Sequence, residues 1–192
     1  LDRSAGTEGS GPPRQPIFNI PGPIIAILIL LVGIHAVRQF VPERWDDAAF
    51  VRLAFVPGRL TFAVAPDRVV GALVALAQRG EEGYREAQQG RFLLGDGSAA
   101  SWTTVSYGLL HADWGHVGLN AVWLLAFGTP VARRFGAARF VVFLVAAAWA
   151  GAAVHWATHP LDLAPVIGAS AAVSGCMGAT LRFMFRPDAP IS

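Results

Sequence analysis

Apolar residues gather in four runs along the chain. Residues 17–37 read IFNIPGPIIAILILLVGIHAV, and residues 114–131 read WGHVGLNAVWLLAFGTPV. Residues 140–157 read FVVFLVAAAWAGAAVHWA, and residues 163–185 complete the set. About 20 helical residues cross the hydrocarbon layer of a bilayer, so each run predicts a transmembrane helix. The second and third are near the short limit, which favours burial among other helices or little tilt. Between the first and second runs lies the polar stretch 38–113. Its short apolar piece VVGALVALA, at 69–77, is too short to span. Trp45, Phe50, Phe55 and Phe62 are scattered there among Arg and Asp, as in a segment lying at headgroup level. A connection of this length tends to be functional. The pattern predicts an outer-face structure partly immersed in the interface.

Composition agrees with this pattern. Of 192 residues, 54% are hydrophobic and 15% charged, against about 25% charged in soluble domains; mean hydropathy is +0.47. The class is therefore a polytopic, all-α membrane protein. All 15 basic residues are Arg, and against 13 acids the net charge is +2. That balance gives no basic surface for nucleic acid. Arg133, Arg134 and Arg139 lie between the second and third runs, whereas THPLDLAP between the third and fourth has no Arg. Arg in short loops marks the cytoplasmic side. Both termini are then cytoplasmic and 38–113 lies outside. Cys176 is the single cysteine, which excludes an internal disulfide. Residues 1–16, rich in Gly, Pro, Ser and charge, read as a flexible cytoplasmic tail. Residues 186–192 read as a cytoplasmic end. The absence of an initial Met and the end directly after an apolar run read as the edges of an excerpt.

Polar residues inside apolar runs are the candidates for chemistry. His116 and Asn120, four apart, share one face of a helix. They fit an interhelical packing pair, worth well under 2 kcal/mol, or a pair of donors aimed at a developing oxyanion. His111 lies just before them, at the outer boundary. His-x4-His does not hold both imidazoles on one helical face, so no metal site is expected. In APVIGASAAVSGCMGA, Ser170 and Ser174 sit among small residues. Ser170, Ser174 and Gly178 form one helical stripe, and Gly168, Ala172 and Cys176 another, the small-xxx-small pattern of close membrane packing. A nucleophilic Ser would need the same thin surroundings. G-x-S-x-G, the nucleophile elbow of soluble hydrolases, is not met, because Ala172 stands fifth and no strand precedes it.

Taken together, Trp102, His111, His116 and Asn120 in W-x8-H-x4-H-x3-N, followed by Gly168 and Ser170 in G-A-S, resemble the rhomboid family of intramembrane serine proteases. The resemblance covers the chain from residue 17 to its end, within a rhomboid-like helical bundle at 17–185. It implies four transmembrane helices of an expected six, with a long outer-face first loop. It implies Ser170 as nucleophile and an oxyanion hole from His116, Asn120 and the Ser170 backbone N–H. Gly168 and Ser174 would line the substrate site, and His111 and Trp102 would be structural. No cofactor or metal is implied. The partners would be transmembrane protein substrates and the lipid bilayer, in a bacterial inner membrane. Oligomeric state is left open.

Three departures from the family pattern stand out. Thr103 follows Trp102 where the family often has Arg, and Ala171 stands where G-x-S-G has Gly. The family's general-base His belongs to a sixth helix, and no recognisable base is present in this chain. His35 reads as near the inner end of the first run, on the wrong side of the membrane. His155 and His159 flank the outer end of the third and read as interfacial. The leading expectation is a Ser endopeptidase cutting in or near transmembrane segments. The alternative is an inactive relative that binds transmembrane helices. An unrelated transporter or scaffold is disfavoured, because the polar residues gather in the outer half.

Overall fold

The computed structural model describes residues 19–185. The expected tail at 1–16, the first residues of the first run and the expected end at 186–192 lie outside the described residues. Every named element among those described is a helix; one isolated bridge joins Phe55 to Val166.

The helix α1, Gly22–Arg38, starts at a Pro-Gly-Pro turn with Pro in its first turn, where the missing N–H costs nothing. The stretch 38–113 is helical, not an irregular loop. It holds α2 (Glu43–Leu53), α3 (Pro57–Val64), α4 (Pro66–Ala77), α5 (Glu81–Leu94) and α6 (Thr103–Ser106), the last running into a 3₁₀ turn at Tyr107–Leu109. The short apolar piece at 69–77 became most of α4, which packs antiparallel to α5 through a tight turn at Gly80.

The second run forms α7, Trp114–Trp123, which continues through a π-helical turn at Leu124–Gly128 into α8, Thr129–Phe135. Backbone angles stay right-handed throughout, so 114–135 is one rod of about 33 Å. Gly136, at φ +76°, then reverses the chain. The helix α9, Ala137–Thr158, is by itself long and apolar enough to cross a membrane; α1 is apolar but shorter. The fourth run is helical only from Ser170, as α10, Ser170–Phe185. The residues before it, which include Pro165 and Gly168, are non-helical.

The main core joins Ile24 and Leu31 of α1, Val117 of α7, Val131 and Phe140, and Val173 and Cys176 of α10. Outward faces stay apolar too: Val142 is 67% exposed, Ile29 68% and Val154 64%. Helices apolar on all sides require an apolar solvent.

Between α9 and α10 the backbones meet closely. A Cβ on Gly151 would lie 2.6 Å from Ala171 Cβ, and one on Gly175 would lie 2.7 Å from Ala147 Cβ. Ala171 and Gly175 therefore carry the small-residue packing expected of this helix. Ser170 and Ser174 do not: both are exposed among the described residues, and a Cβ on Gly178 would meet nothing within 4 Å.

Candidate active site

The site begins at a helix cap. Asp113 is the N-cap of α7 and accepts the His116 N–H at 2.8 Å, satisfying one of the free donors of the first turn. His116 is thereby fixed in that turn. Asn120 is buried one turn further along the same face, and its Nδ2 donates to the His116 carbonyl at 3.1 Å.

The chain leading to Ser170 is pinned residue by residue. Phe55 and Val166 exchange backbone hydrogen bonds at 3.1 and 2.7 Å. Gly168 N–H donates to the Tyr107 carbonyl at 3.0 Å, and Ala169 N–H donates to His111 Nε2 at 3.4 Å. Gly168 is at φ +114°, and a Cβ there would sit 2.6 Å from His116 Nε2. Only glycine accepts both that backbone conformation and that ring. The absent side chain at Gly168 leaves room for the His116 ring. Ser170 then opens α10, exposed and with no hydrogen bond to its hydroxyl among the described residues. Ser174 lies one turn below on the same open face.

His111 is 1% exposed. Accepting from Ala169 requires a bare Nε2, so the ring is neutral. Burial, followed by the neighbouring His116 and His35, pushes its pKa down from 6.5 to about 4. Its ring meets His116 edge-on at 4.9 Å. His111 precedes the helix, so its ring lies against His116 although five residues separate them. Among the described residues, no group of three or more His, Cys, Asp or Glu is placed to hold a metal ion.

One placement differs from expectation. His35 packs edge-on against Trp114 at 4.6 Å and lies near His111, at the same end of the bundle. His35 is in the last turn of α1, which ends where α7 begins. Trp102 is 53% exposed, and its Nε1 donates to the Arg52 carbonyl at 2.9 Å, tying the start of α6 to α2 as a structural role requires. His155 stacks on His159 at 5.1 Å and faces the Asp162 carboxylate at 3.5 Å.

Some contributors were not singled out from the sequence. Arg38 forks onto both Asp46 oxygens, at 2.6 and 3.0 Å, and donates to the His111 carbonyl at 3.0 Å. The buried Tyr107 hydroxyl donates to the Ala148 carbonyl at 2.9 Å, and burial raises its pKa. Gly151 makes room for the Ala171 methyl. Only Asp113 carried a sequence signal, as an N-cap residue before an apolar run.

Comparison with known proteins gives the following. A family model described as the Rhomboid domain matches residues 98–191. Rhomboid protease GluP of Bacillus subtilis (strain 168) is 34% identical over 80 residues, covering 42% of this chain and 15% of that protein. YdcA of the same strain, provisionally named a rhomboid protease, is 30% identical over 140 residues, covering 72% of this chain and 68% of that protein. The chain thus corresponds to a small part of the first relative's length. No solved structure matches it significantly.

Proposed function

Because the chain belongs to the rhomboid family, we propose that it is an intramembrane serine endopeptidase acting on membrane-protein substrates, with Ser170 as nucleophile. Family membership makes it an integral membrane protein. The reading takes 17–37, 114–131, 140–157 and 163–185 as its spans, with the N-terminus cytoplasmic and 38–113 outside. One observation carries it. A serine hydroxyl with no hydrogen bond among the described residues stands exposed at the start of α10, while the backbone before it is held by Phe55, Tyr107 and His111.

In this reading Ser170 Oγ attacks the scissile carbonyl and its proton passes to a base. Among the described residues no imidazole hydrogen-bonds the Ser170 hydroxyl. The reading requires an imidazole against the open Ser170–Ser174 face. The carbonyl oxygen becomes an oxyanion that takes hydrogen bonds from the Ser170 N–H, His116 and the second Asn120 N–H. One such side-chain donor lowers the barrier by about 2.7–4 kcal/mol. The amine leaves with the proton, and water then hydrolyses the acyl-enzyme. Packing of His116 over Gly168 and the Asn120 bond to the His116 carbonyl support this assignment.

The test is Ser170→Ala in the full-length protein, reconstituted with a membrane substrate. Cleavage and covalent labelling by a fluorophosphonate should both vanish, while the melting temperature stays within a few degrees of wild type. Cleavage that survives Ser170→Ala would remove Ser170 as nucleophile. A wild-type protein that binds transmembrane helices without cutting or labelling would favour the inactive-relative reading.

A further inference from the structure

The hairpin of α4 and α5 has no part in the chemistry above, yet it is locked to the backbone that carries Ser170. Leu163 is the lock. A Cβ on Gly58 of α3 would lie 2.7 Å from Leu163 Cδ2, and one on Gly90 of α5 would lie 2.9 Å from Leu163 Cδ1. The side chain is wedged between two helices at points where only glycine leaves space. Gly58 N–H donates to the Asp162 carbonyl at 2.8 Å, and Ala164 N–H donates to Asp162 Oδ1 at 2.9 Å. This loop runs straight into Val166, Gly168 and Ser170.

A groove of about 570 Å³ opens between the hairpin and loop 161–165. Ala75, Leu76, Leu93 and Leu161 give it apolar walls, and Arg79 and Glu86 flank it. Pro165, at its edge, precedes Ser170 by five residues, at most about 17 Å of extended chain. A peptide held at Ser170 therefore reaches the groove within a few residues.

We infer that this groove docks the outer juxtamembrane segment of the substrate, taking an apolar side chain between α4, α5 and the loop. The inference rests on the protease reading. Its occupant follows from continuity, because the groove wall and the backbone before Ser170 are one uninterrupted stretch of chain. The apolar walls suit one Leu-sized or Val-sized side chain, and the opposite charges of Arg79 and Glu86 at the groove suit a neutral backbone beside it. The groove on the other side of the hairpin, about 610 Å³ and lined by Phe62, Val74 and Tyr84, includes no residue of that loop. It serves as the internal control.

The experiment uses the full-length protein in liposomes with two substrates sharing one transmembrane helix and cleavage site. One carries an outer segment of about 20 residues, enough to cover the interval estimated above. In the other this segment is cut close to the scissile bond. Wild type should prefer the long substrate about tenfold in kcat/KM through KM, the low end of what burying one apolar side chain gives. Ala75→Arg, which fills the groove from an exposed position, should erase that preference. Ala75→p-benzoylphenylalanine should photo-crosslink to the outer segment, and Ala77→p-benzoylphenylalanine, in the control groove, should not. A preference that persists in Ala75→Arg overturns the inference. So does a crosslink from position 75 to a second copy of the chain, or to nothing. If wild type cuts neither substrate, the protease reading fails, and the crosslink alone decides whether the groove binds the segment.

Discussion

Gly168 and His111 make opposite demands on the same few ångströms of backbone. At φ +114°, with His116 Nε2 2.6 Å from where a Cβ would stand, Gly168→Ala adds backbone strain and a clash. Gly136→Ala adds strain alone, because nothing lies within 4 Å there; its cost should be about 1–3 kcal/mol. Denaturant unfolding should rank Gly168→Ala as the more damaging, and it should also abolish cleavage. His111 acts through its lone pair. Its folded pKa of about 4 lies below the unfolded value near 6.5, so the unfolded chain binds more protons in that window. The stability contributed by neutral His111 is full above pH 6.5 and is lost as pH falls towards 4. The melting temperature of the detergent-solubilised protein should fall over that range. In His111→Gln, whose amide oxygen still accepts from Ala169, the fall should be smaller. Equal slopes in the two proteins would remove His111 as the cause.

At the scale of elements, the seam between α9 and α10 sets where Ser170 stands. Ala171 departs from the family's glycine, and Gly151 on the facing helix takes up the methyl. Gly151→Ala should overpack the seam and cost about 1–3 kcal/mol. Ala171→Gly added to it should restore most of the loss, because touching residues are non-additive. Additive costs in equilibrium unfolding would show that the two do not share one space. The four apolar runs were legible as helices because their length and hydropathy are local properties. Their bounds were not. Residues 163–169 are apolar enough for a helix, yet Pro165 and hydrogen bonds to Phe55, Tyr107 and His111 keep them out of one. The second helix passes its expected end at 131 through a π turn, where Thr180 Oγ1 donates to the Phe127 carbonyl at 3.0 Å. No local pattern announces that bond, which spans the distance from one helix to another.

For the whole molecule, the question is which end of the bundle faces out. The proposed orientation puts the Arg-rich turn around Gly136 in the cytoplasm and the hairpin tip outside. A cysteine in Gln78→Cys, at the exposed tip, should react with a membrane-impermeant maleimide added to intact cells. Ala138→Cys, exposed at the start of α9, should react only after permeabilisation. Native Cys176 is buried and should give little background. The reverse labelling pattern would invert the topology and with it the outer placement of Ser170. The apolar outward faces of α1 and α9 remain either way, and lipid must cover them.

The helical class, the need for lipid and the candidate residues His111, His116, Asn120, Gly168 and Ser170 followed from the sequence. Hydropathy and motif spacing are written along the chain and need no fold to be read. That His35 packs at the Trp114 and His111 end of the bundle was not legible, because it depends on which helix end faces which. Tertiary structure alone decided that His116 covers Gly168, that Gly151 receives Ala171 and that Leu163 joins the hairpin to the loop before Ser170. Each is a contact between segments far apart in sequence, selected by which small residue faces which bulky one. That choice exists only once the helices have packed.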